Sequence, residues 1–473
     1  ENLIFETKSY HGFPQSTEKV ENDKRYLSIS TKDIPALKQE AFAFYTANRM
    51  RVDYKLAYNN ARQGEERLFT WQDAAERIYG NMHSLGKKER ESLEKLIKKE
   101  KIKKGTTEQK IRKIENYVKE NIRIQEGFSA EFYDLNSILE NKYGKRVAVN
   151  RLYIHLFRLL KIDYQIVMTT DRSEVKFDKD FDSWQYLEKT MFYFPSTKKF
   201  LASDEPSLRY GMVPALQTAQ YGLFITVKYP KDKSEPQVNA QTRYINELSD
   251  EDNADVFYAN MEFTEDMTQV KVDLTRELFG HNASGLHVIY ALIAEDKKKE
   301  LLESFIKGSF PDADFDKVNT GETSIAYSAL EKPFIFKSEI KTASLIERAG
   351  NKYLFKIGDV IGQQTELYQE SERKQIVENN FNRVYKRYLN FKIPQGYKIK
   401  NPDDLLMNVT HTQEGQKASI FTSNYEIKNG TLYVTVIEYY KEIYSPLNLF
   451  EAFRKVINAA ADFNKITLVL EKK

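Results

Sequence analysis

The spacing of apolar residues changes period several times along the chain, and each change marks an element. Residues 26–30 (YLSIS) and 49–58 (RMRVDYKLAY) alternate apolar and polar, the period-two sign of strands with one buried face. Between them, TKDIPALKQE carries Pro35, which ends any helix there. These strands read as the closing part of a β-sandwich over residues 1–62. From Thr70 the period becomes helical. Thr70 is placed to cap WQDAAERIYGNMHSL. KKERESLEKLIKKEKIKK carries nine basic and four acidic residues and reads as a helix with a solvated face laced by i,i+4 pairs. Contact with a polyanion or lipid head group is its sharper alternative. Gly105 breaks the pattern, Thr106 or Thr107 caps a restart, and Ile111, Ile114, Tyr117, Val118 and Ile122 form one apolar stripe.

SAEFYDLNSILENKYG predicts a short helix. Residues 143–172, YGKRVAVNRLYIHLFRLLKIDYQIVMTTDR, then organise the rest: a Gly and two cations lead into a strongly apolar helix, a turn and a β-branched strand. Val149, Leu152, Tyr153, Leu156, Leu159 and Leu160 share a face, so the helix is buried. SWQYLEKTMFYFPSTKKFLASD predicts two strands turning near 195–198, and DEPSLRYGMVPALQTAQYG a long loop across the core. Residues 228–238 (KYPKDKSEPQV) read as a linker. After it, RYINEL, DVFYANMEFTE and TQVKVDLTRELFG are strands, and HVIYALIAEDKKKELLESFIKG is mainly a helix ended by Gly308. KPFIFKSEIKTASLIERAGNKYLFKIGD is more sheet, assigned with the preceding elements to an α/β sheet domain over 239–371. Residues 372–473 are strand after strand with one closing helix, LNLFEAFRKVINAAADF, and Asn429-Gly430 marks a two-residue hairpin.

Composition narrows the function classes. The chain has 473 residues, enough for several cores, with 30 Tyr, 29 Phe and 2 Trp, which favours antiparallel sheet. Net charge is +3, which gives no general drive toward nucleic acid or an anionic membrane. The absence of cysteine excludes disulfides, Cys-based metal sites and a thiol nucleophile. No apolar run is long enough to cross a membrane. The sequence opens at Glu1 in mid-pattern, as a mature product or a fragment would. No cofactor or metal motif stands out. His281 and His287 are not at helical ligand spacing, and Asp178, Asp180 and Asp182 in DKDFD read as an acidic turn more readily than a calcium loop. His155, in the central helix off its main apolar face, reads as packed or surface rather than catalytic.

TKDIPALKQEAF, the central helix–strand stretch, ELYQESERKQIV, NFKIPQGYKI and INAAADFNKITLVLEKK together resemble a family of mainly Bacteroidetes proteins. Its members combine a DUF3857 sandwich, a transglutaminase-like core and, in some, a DUF3858 region. The resemblance implies an α+β fold: a transglutaminase-like (papain-like) core over 63–227 flanked by antiparallel β-sandwich domains, the last over 372–473. In such cores a Cys on the first turn of the buried helix is activated by the helix N-terminus, a His and an Asp. Laid onto this sequence, the family's Asn falls on Asn150 and its Cys on Val149, its His near Ser183 or Trp184, and its Asp near Asp204. The catalytic triad is therefore degenerate.

Lys145 and Arg146 beside the helix start, with Asn150, Trp184 and Tyr186, are the candidates for a residual groove. The expectation is a non-catalytic transglutaminase-like protein of the cell envelope, periplasmic or outer-membrane-associated by resemblance. It acts as a binding or scaffold module toward a protein or envelope polymer. The alternatives are a hydrolase or peptidase with a nucleophile such as Ser183 aided by Asp204, and a carbohydrate-binding protein suggested by the Tyr-rich sheets. Exposed coplanar aromatics on one sheet face would mark the last.

Overall fold

The computed structural model describes residues 2–61, 67–229, 236–368 and 372–473. The chain divides into two compact units, Glu1–Asn246 and Glu247–Lys473.

The first unit begins with β1 (Leu3–Tyr10), β2 (Thr17–Glu21), β3 (Lys24–Ser28) and β4 (Arg51–Asn59). β1 pairs with β4 and β2 with β3, as two separate two-stranded antiparallel ribbons. Of the closing part of a sandwich expected over 1–62, these residues supply two ribbons at most. Period two requires one covered face and says nothing of what covers it.

Three helices follow: α1 (Trp71–Met82), α2 (Lys87–Lys99) and α3 (Thr107–Asn121). Thr70 and Thr106 cap α1 and α3 through reciprocal side-chain bonds with Asp73 and Gln109, each satisfying two otherwise unpaired N–H groups. Gly105, at φ +112°, makes the break between α2 and α3. On α2 only Leu93, Leu96 and Ile97 are buried, so its lysines form a solvated face. α4 (Leu135–Asn141) lies between β5 (Arg123–Ile124) and β6 (Tyr143–Gly144), a short parallel pair.

α5 (Arg146–Leu159) is the central helix, buried at nine positions. β7 (Gln165–Thr169), β8 (Lys189–Phe194), β9 (Lys199–Leu201), β10 (Gln220–Lys228) and β11 (Gln237–Ile245) form an antiparallel sheet in the order β11-β10-β7-β8-β9. α5 packs on one face of it. The Phe157 ring lies 5.4 Å from Phe192 and 5.1 Å from Phe194, and Tyr153 lies 5.8 Å from Phe192. Val167, Met191, Phe224 and Ile245 make a smaller cluster on the other face.

The linker expected at 228–238 is instead the connection between paired strands. β10 and β11 match from Gln220↔Ile245 to Lys228↔Gln237, so the boundary between units falls after Asn246. Residues 230–235 lie outside the described residues.

The second unit contains β12 (Ala254–Phe263), β13 (Val270–Leu278), α6 (Leu286–Leu292), α7 (Glu295–Lys307), β14 (Asp314–Thr320), β15 (Phe334–Thr342), β16 (Ile346–Ala349) and β17 (Lys352–Phe355). It continues with β18 (Val377–Glu378), β19 (Arg383–Lys392), β20 (Tyr397–Ile399), β21 (Met407–Gln413), β22 (Gln416–Lys428), β23 (Thr431–Tyr440), β24 (Tyr444–Ser445), α8 (Phe450–Asn464) and β25 (Leu468–Lys472).

An eight-stranded sheet runs β14-β15-β13-β12-β19-β23-β22-β21. The expected division at 371/372 fails here. β12 and β19 pair in parallel over nine residues, from Ala254↔Val384 to Glu262↔Lys392, and bind the two halves into one sheet. A parallel partner more than a hundred residues away leaves no mark in local periodicity. The inner face of this sheet is covered by α8, through Phe463 on Phe421 (5.8 Å) and Phe453 near Tyr440 (5.7 Å). The small sheet β16-β17-β25-β20 covers a second part, with Phe355 stacked on Phe391 at 4.2 Å, and α6 and α7 a third, with His287 5.5 Å from Phe334 and Phe305 5.8 Å from Phe336. Arg276 and Arg387 hold Asp255, also on the inner face, in ion pairs of 2.7 and 2.9 Å. Burial alone would raise this carboxyl, but the two guanidinium groups hold it well below the usual carboxylate range.

Candidate functional site

The end of the first unit's sheet where α5 begins gathers the polar side chains. β7 and β8 pair with Thr169 opposite Lys189, and β8 and β9 with Phe192 opposite Leu201. Continuing that register sets residue 204 level with Lys189. There Asp204, a buried carboxylate (7% exposed), forms an ion pair with Arg146 (43% exposed), the first residue of α5. One turn along the helix, buried Asn150 accepts a bond from the Ser203 hydroxyl at 2.6 Å. Glu205 follows. Burial raises its carboxyl and adjacent Asp204 raises it further, against the pull of Lys119, Arg146 and Lys189.

Below this layer lies a second ion pair. Lys119 and Glu115, both on α3 and almost wholly buried (2% and 1% exposed), meet at 2.8 Å. Lys119 also donates to the Leu208 carbonyl at 2.6 Å, and the other Glu115 oxygen accepts the Tyr210 N–H at 2.9 Å. Burial drives the Lys119 ammonium down and Arg209 adds to this, while Glu115 opposes it. The loop after β9 is thus tied by its backbone to α3 and by its side chains to α5. Gly211 N–H adds a bond to the Phe200 carbonyl at 2.8 Å.

α5 starts against local preference. Lys145 stands at the N-cap without a side-chain bond to the helix, and Arg146 puts a cation at the positive end of the dipole. Asp204 supplies the missing negative charge from 58 positions away. Lys145 turns outward, 3.6 Å from Glu126 and 3.1 Å from the Tyr133 hydroxyl.

Of the positions singled out in the sequence, Arg146, Asn150 and Asp204 come together. Val149 does not join them. It is 1% exposed and packs in the core beneath α5, so the outward position on the first turn is Arg146. Ser183 is buried, and its carbonyl accepts the Tyr186 N–H at 3.2 Å. Trp184 is exposed and leans on Phe69 with centroids 5.3 Å apart. Tyr186 is buried against Phe177, donates to Asp53 at 2.5 Å and lies 3.0 Å from the Tyr10 hydroxyl. Tyr186 therefore faces the N-terminal ribbons and Trp184 the segment before α1, and neither makes a hydrogen bond or ring contact with Arg146.

The DKDFD acids are taken up locally. Asp178 pairs with Lys8 and accepts from Tyr10 at 2.7 Å, Asp180 meets Lys179 at 2.7 Å, and Asp182 meets Arg67 at 3.5 Å. No cluster of metal-ligating side chains occurs among the described residues. His155 is fully buried. Burial lowers its imidazole to about 3, helped by Arg158 and Arg151.

Glu115, Lys119, Lys189 and Glu205 were not foreseen. Glu115 and Lys119 carried a signal, since Glu115 sits at i+4 from Ile111 within the apolar stripe. Lys189 and Glu205 carried none, because only the strand register brings them near α5.

A buried helix packed on an antiparallel sheet, with its N-terminus at the sheet end where polar groups converge, is the arrangement of a known superfamily. Residues 97–204 match the transglutaminase-like superfamily. The match runs from the end of α2 through α5 to Asp204. The crystal structure of a "putative protease" from Parabacteroides distasonis ATCC 8503 superposes with a TM-score of 0.52 at 10% sequence identity, over 99% of this chain and 70% of that one. At that identity the likeness is one of fold. No curated protein sequence matches the chain. The protein thus has an α+β fold built on a transglutaminase-like core. Among the described residues no helix is long and apolar enough to cross a membrane.

Proposed function

We propose that the transglutaminase-like core is non-catalytic and serves as a scaffold, in a protein whose role is binding. One observation carries this reading: the outward position on the first turn of α5 is Arg146, held by Asp204, where a nucleophile and its base are needed. A guanidinium remains protonated and cannot attack a carbonyl. The alternative nucleophile, Ser183, is buried at a turn, and the carboxylate meant to assist it is engaged by Arg146. His155 is sealed inside the helix layer, with Arg158 Nη1 3.4 Å from its Nδ1. The loop after β9 is pinned over this end of the sheet, as an architectural role requires.

The cell envelope, periplasmic or outer-membrane-associated, is the proposed location, and a protein or envelope polymer the proposed partner. Both rest on the resemblance to the Bacteroidetes DUF3857/DUF3858 proteins. The relative named a protease supplies the competing reading, and one assay separates the two. Purified protein is incubated with glutamine donors plus amine acceptors, and separately with casein and a peptide library. No turnover is expected. Turnover that disappears on unfolding and in Arg146→Met or Asp204→Asn would overturn the proposal.

A further inference from the structure

The eight-stranded sheet of the second unit has one face covered by α8, the small sheet, α6 and α7. The other face bears a groove of about 660 Å³. Its floor follows from the strand registers. One row lines it across five strands as Glu339, Asp273, Asn260, Asn390 and Tyr433, and continues past the groove to Glu426 on a sixth. At about 4.8 Å per strand this row spans about 24 Å. On one side lies a charged row, Lys271–Glu262–Lys392. Glu262 sits 3.9 Å from Lys271 and 3.3 Å from Lys392, so these charges largely answer one another. On the other side, two residues along the same strands and just beyond the groove's lining, Tyr258 and Tyr388 stand as neighbours with centroids 5.1 Å apart and planes 14° from parallel. Tyr388 is backed by the cluster of Val256 and Val384, which steadies the pair.

The groups in the middle row are only partly used. Asn390 Nδ2 donates to Asn260 Oδ1 at 2.9 Å, which leaves the Asn260 Nδ2 group, the second Asn390 N–H and the Asn390 Oδ1 without a bond to described residues. The Asp273 carboxylate and the Tyr433 hydroxyl make no hydrogen bond to described residues. Tyr258 is 41% exposed and Tyr433 42%, high for rings on an ordered sheet. Aromatic faces beside alternating amide donors, amide acceptors and a carboxylate match a ligand that is apolar on its ring faces and rich in hydroxyls at its edges. The near-neutral balance of the flanking lysines and glutamates gives no drive toward a charged polymer.

We infer that this sheet face binds a neutral oligosaccharide, with Tyr258 and Tyr433 stacking on sugar rings and Asn260, Asn390 and Asp273 bonding their hydroxyls. The site lies wholly in the second unit and is independent of the reading given to the transglutaminase-like core.

The full chain is titrated calorimetrically with cellohexaose, xylohexaose, mannohexaose, chitohexaose and maltohexaose, and with polygalacturonate as the anionic control. At least one neutral hexasaccharide is expected to bind. Tyr433→Ala and Tyr258→Ala should each weaken it about tenfold, the scale of losing one good contact, and Asp273→Asn should weaken it less. All three positions are on the solvated face, and an unchanged thermal midpoint confirms that each variant is folded. Binding of none of the five sugars would overturn the inference. So would binding unaffected by both tyrosine replacements, or binding of polygalacturonate alone that is abolished by salt.

Discussion

His155 makes the first unit acid-sensitive in a way that one substitution removes. The ring is fully buried on α5, and burial together with Arg158 and Arg151 lowers its folded pKa to about 3, against an ordinary value of 6.5. The sign follows from proton binding. Below 6.5 the unfolded chain takes up a proton that the folded protein refuses, so stability falls as pH falls. Above 6.5 neither state binds it and the effect vanishes. Between about pH 7 and pH 5 the two values give a loss of about 2 kcal/mol from this one group. His155→Leu removes the titration, and Arg158 keeps its bond to the His83 carbonyl at 2.7 Å. Both tryptophans of the chain, Trp71 and Trp184, lie in the first unit, so tryptophan fluorescence during urea unfolding reports that unit alone. The histidines of the second unit, His281, His287 and His411, lie outside this signal. The wild type should lose about 2 kcal/mol more than His155→Leu between the two pH values. Parallel losses would refute the reasoning, whatever constant offset the substitution adds.

Two further outcomes use the same measurement or its thermal equivalent. Glu115→Gln leaves the Lys119 ammonium buried without its counter-charge and should cost about 3–5 kcal/mol by fluorescence, with Lys119→Met added in the same chain restoring part of it; a single-variant cost under about 1 kcal/mol would show the pair to be solvated. Gly430→Ala places a Cβ where nothing lies within 4 Å, so only the +75° φ opposes it, and calorimetric unfolding of the second unit should show a cost of about 1–2 kcal/mol.

Local signals in the sequence were read correctly where the structure is local. Thr70, Thr106 and Gly105 mark helix ends because capping and positive φ act within a few residues. Asn429 and Gly430 both take positive φ, as their hairpin requires. The buried face of α5 follows its 3.6-residue period, although His155 proved to be inside it. What failed was long-range. The linker at 228–238 and the boundary at 371/372 both depend on which strand lies beside which. β10 with β11 and β12 with β19 are pairings that alternation alone does not encode. At the candidate site the apolar period of α5 already puts Val149 on the buried face; the contact of Arg146, three residues earlier, with Asp204 is what local pattern does not carry. Trp184 and Tyr186 sit in a short 3₁₀ turn whose direction no periodicity fixes.

The start of α5 is where local preference and tertiary structure disagree most. α1 and α3 begin with capping threonines, whereas α5 begins with Lys145 and Arg146. Lacking a side-chain cap costs about 1 kcal/mol, and a cation at the positive end of the dipole costs several tenths more. Burial of residues such as Leu152, Tyr153, Leu156 and Phe157 outweighs both, at about 1.5–3 kcal/mol for each large side chain. The helix would therefore form with almost any residue at its first position. Helix stability did not require Arg146, so its reason lies in the contact with Asp204. That contact fixes the loop after β9 against the helix and leaves the end of the sheet closed by a matched pair of charges. A position that breaks a local rule and is compensated from a distant element is one shaped by tertiary structure or by function. Under the proposed reading, the ion pair that compensates Arg146 stands where a nucleophile would otherwise act.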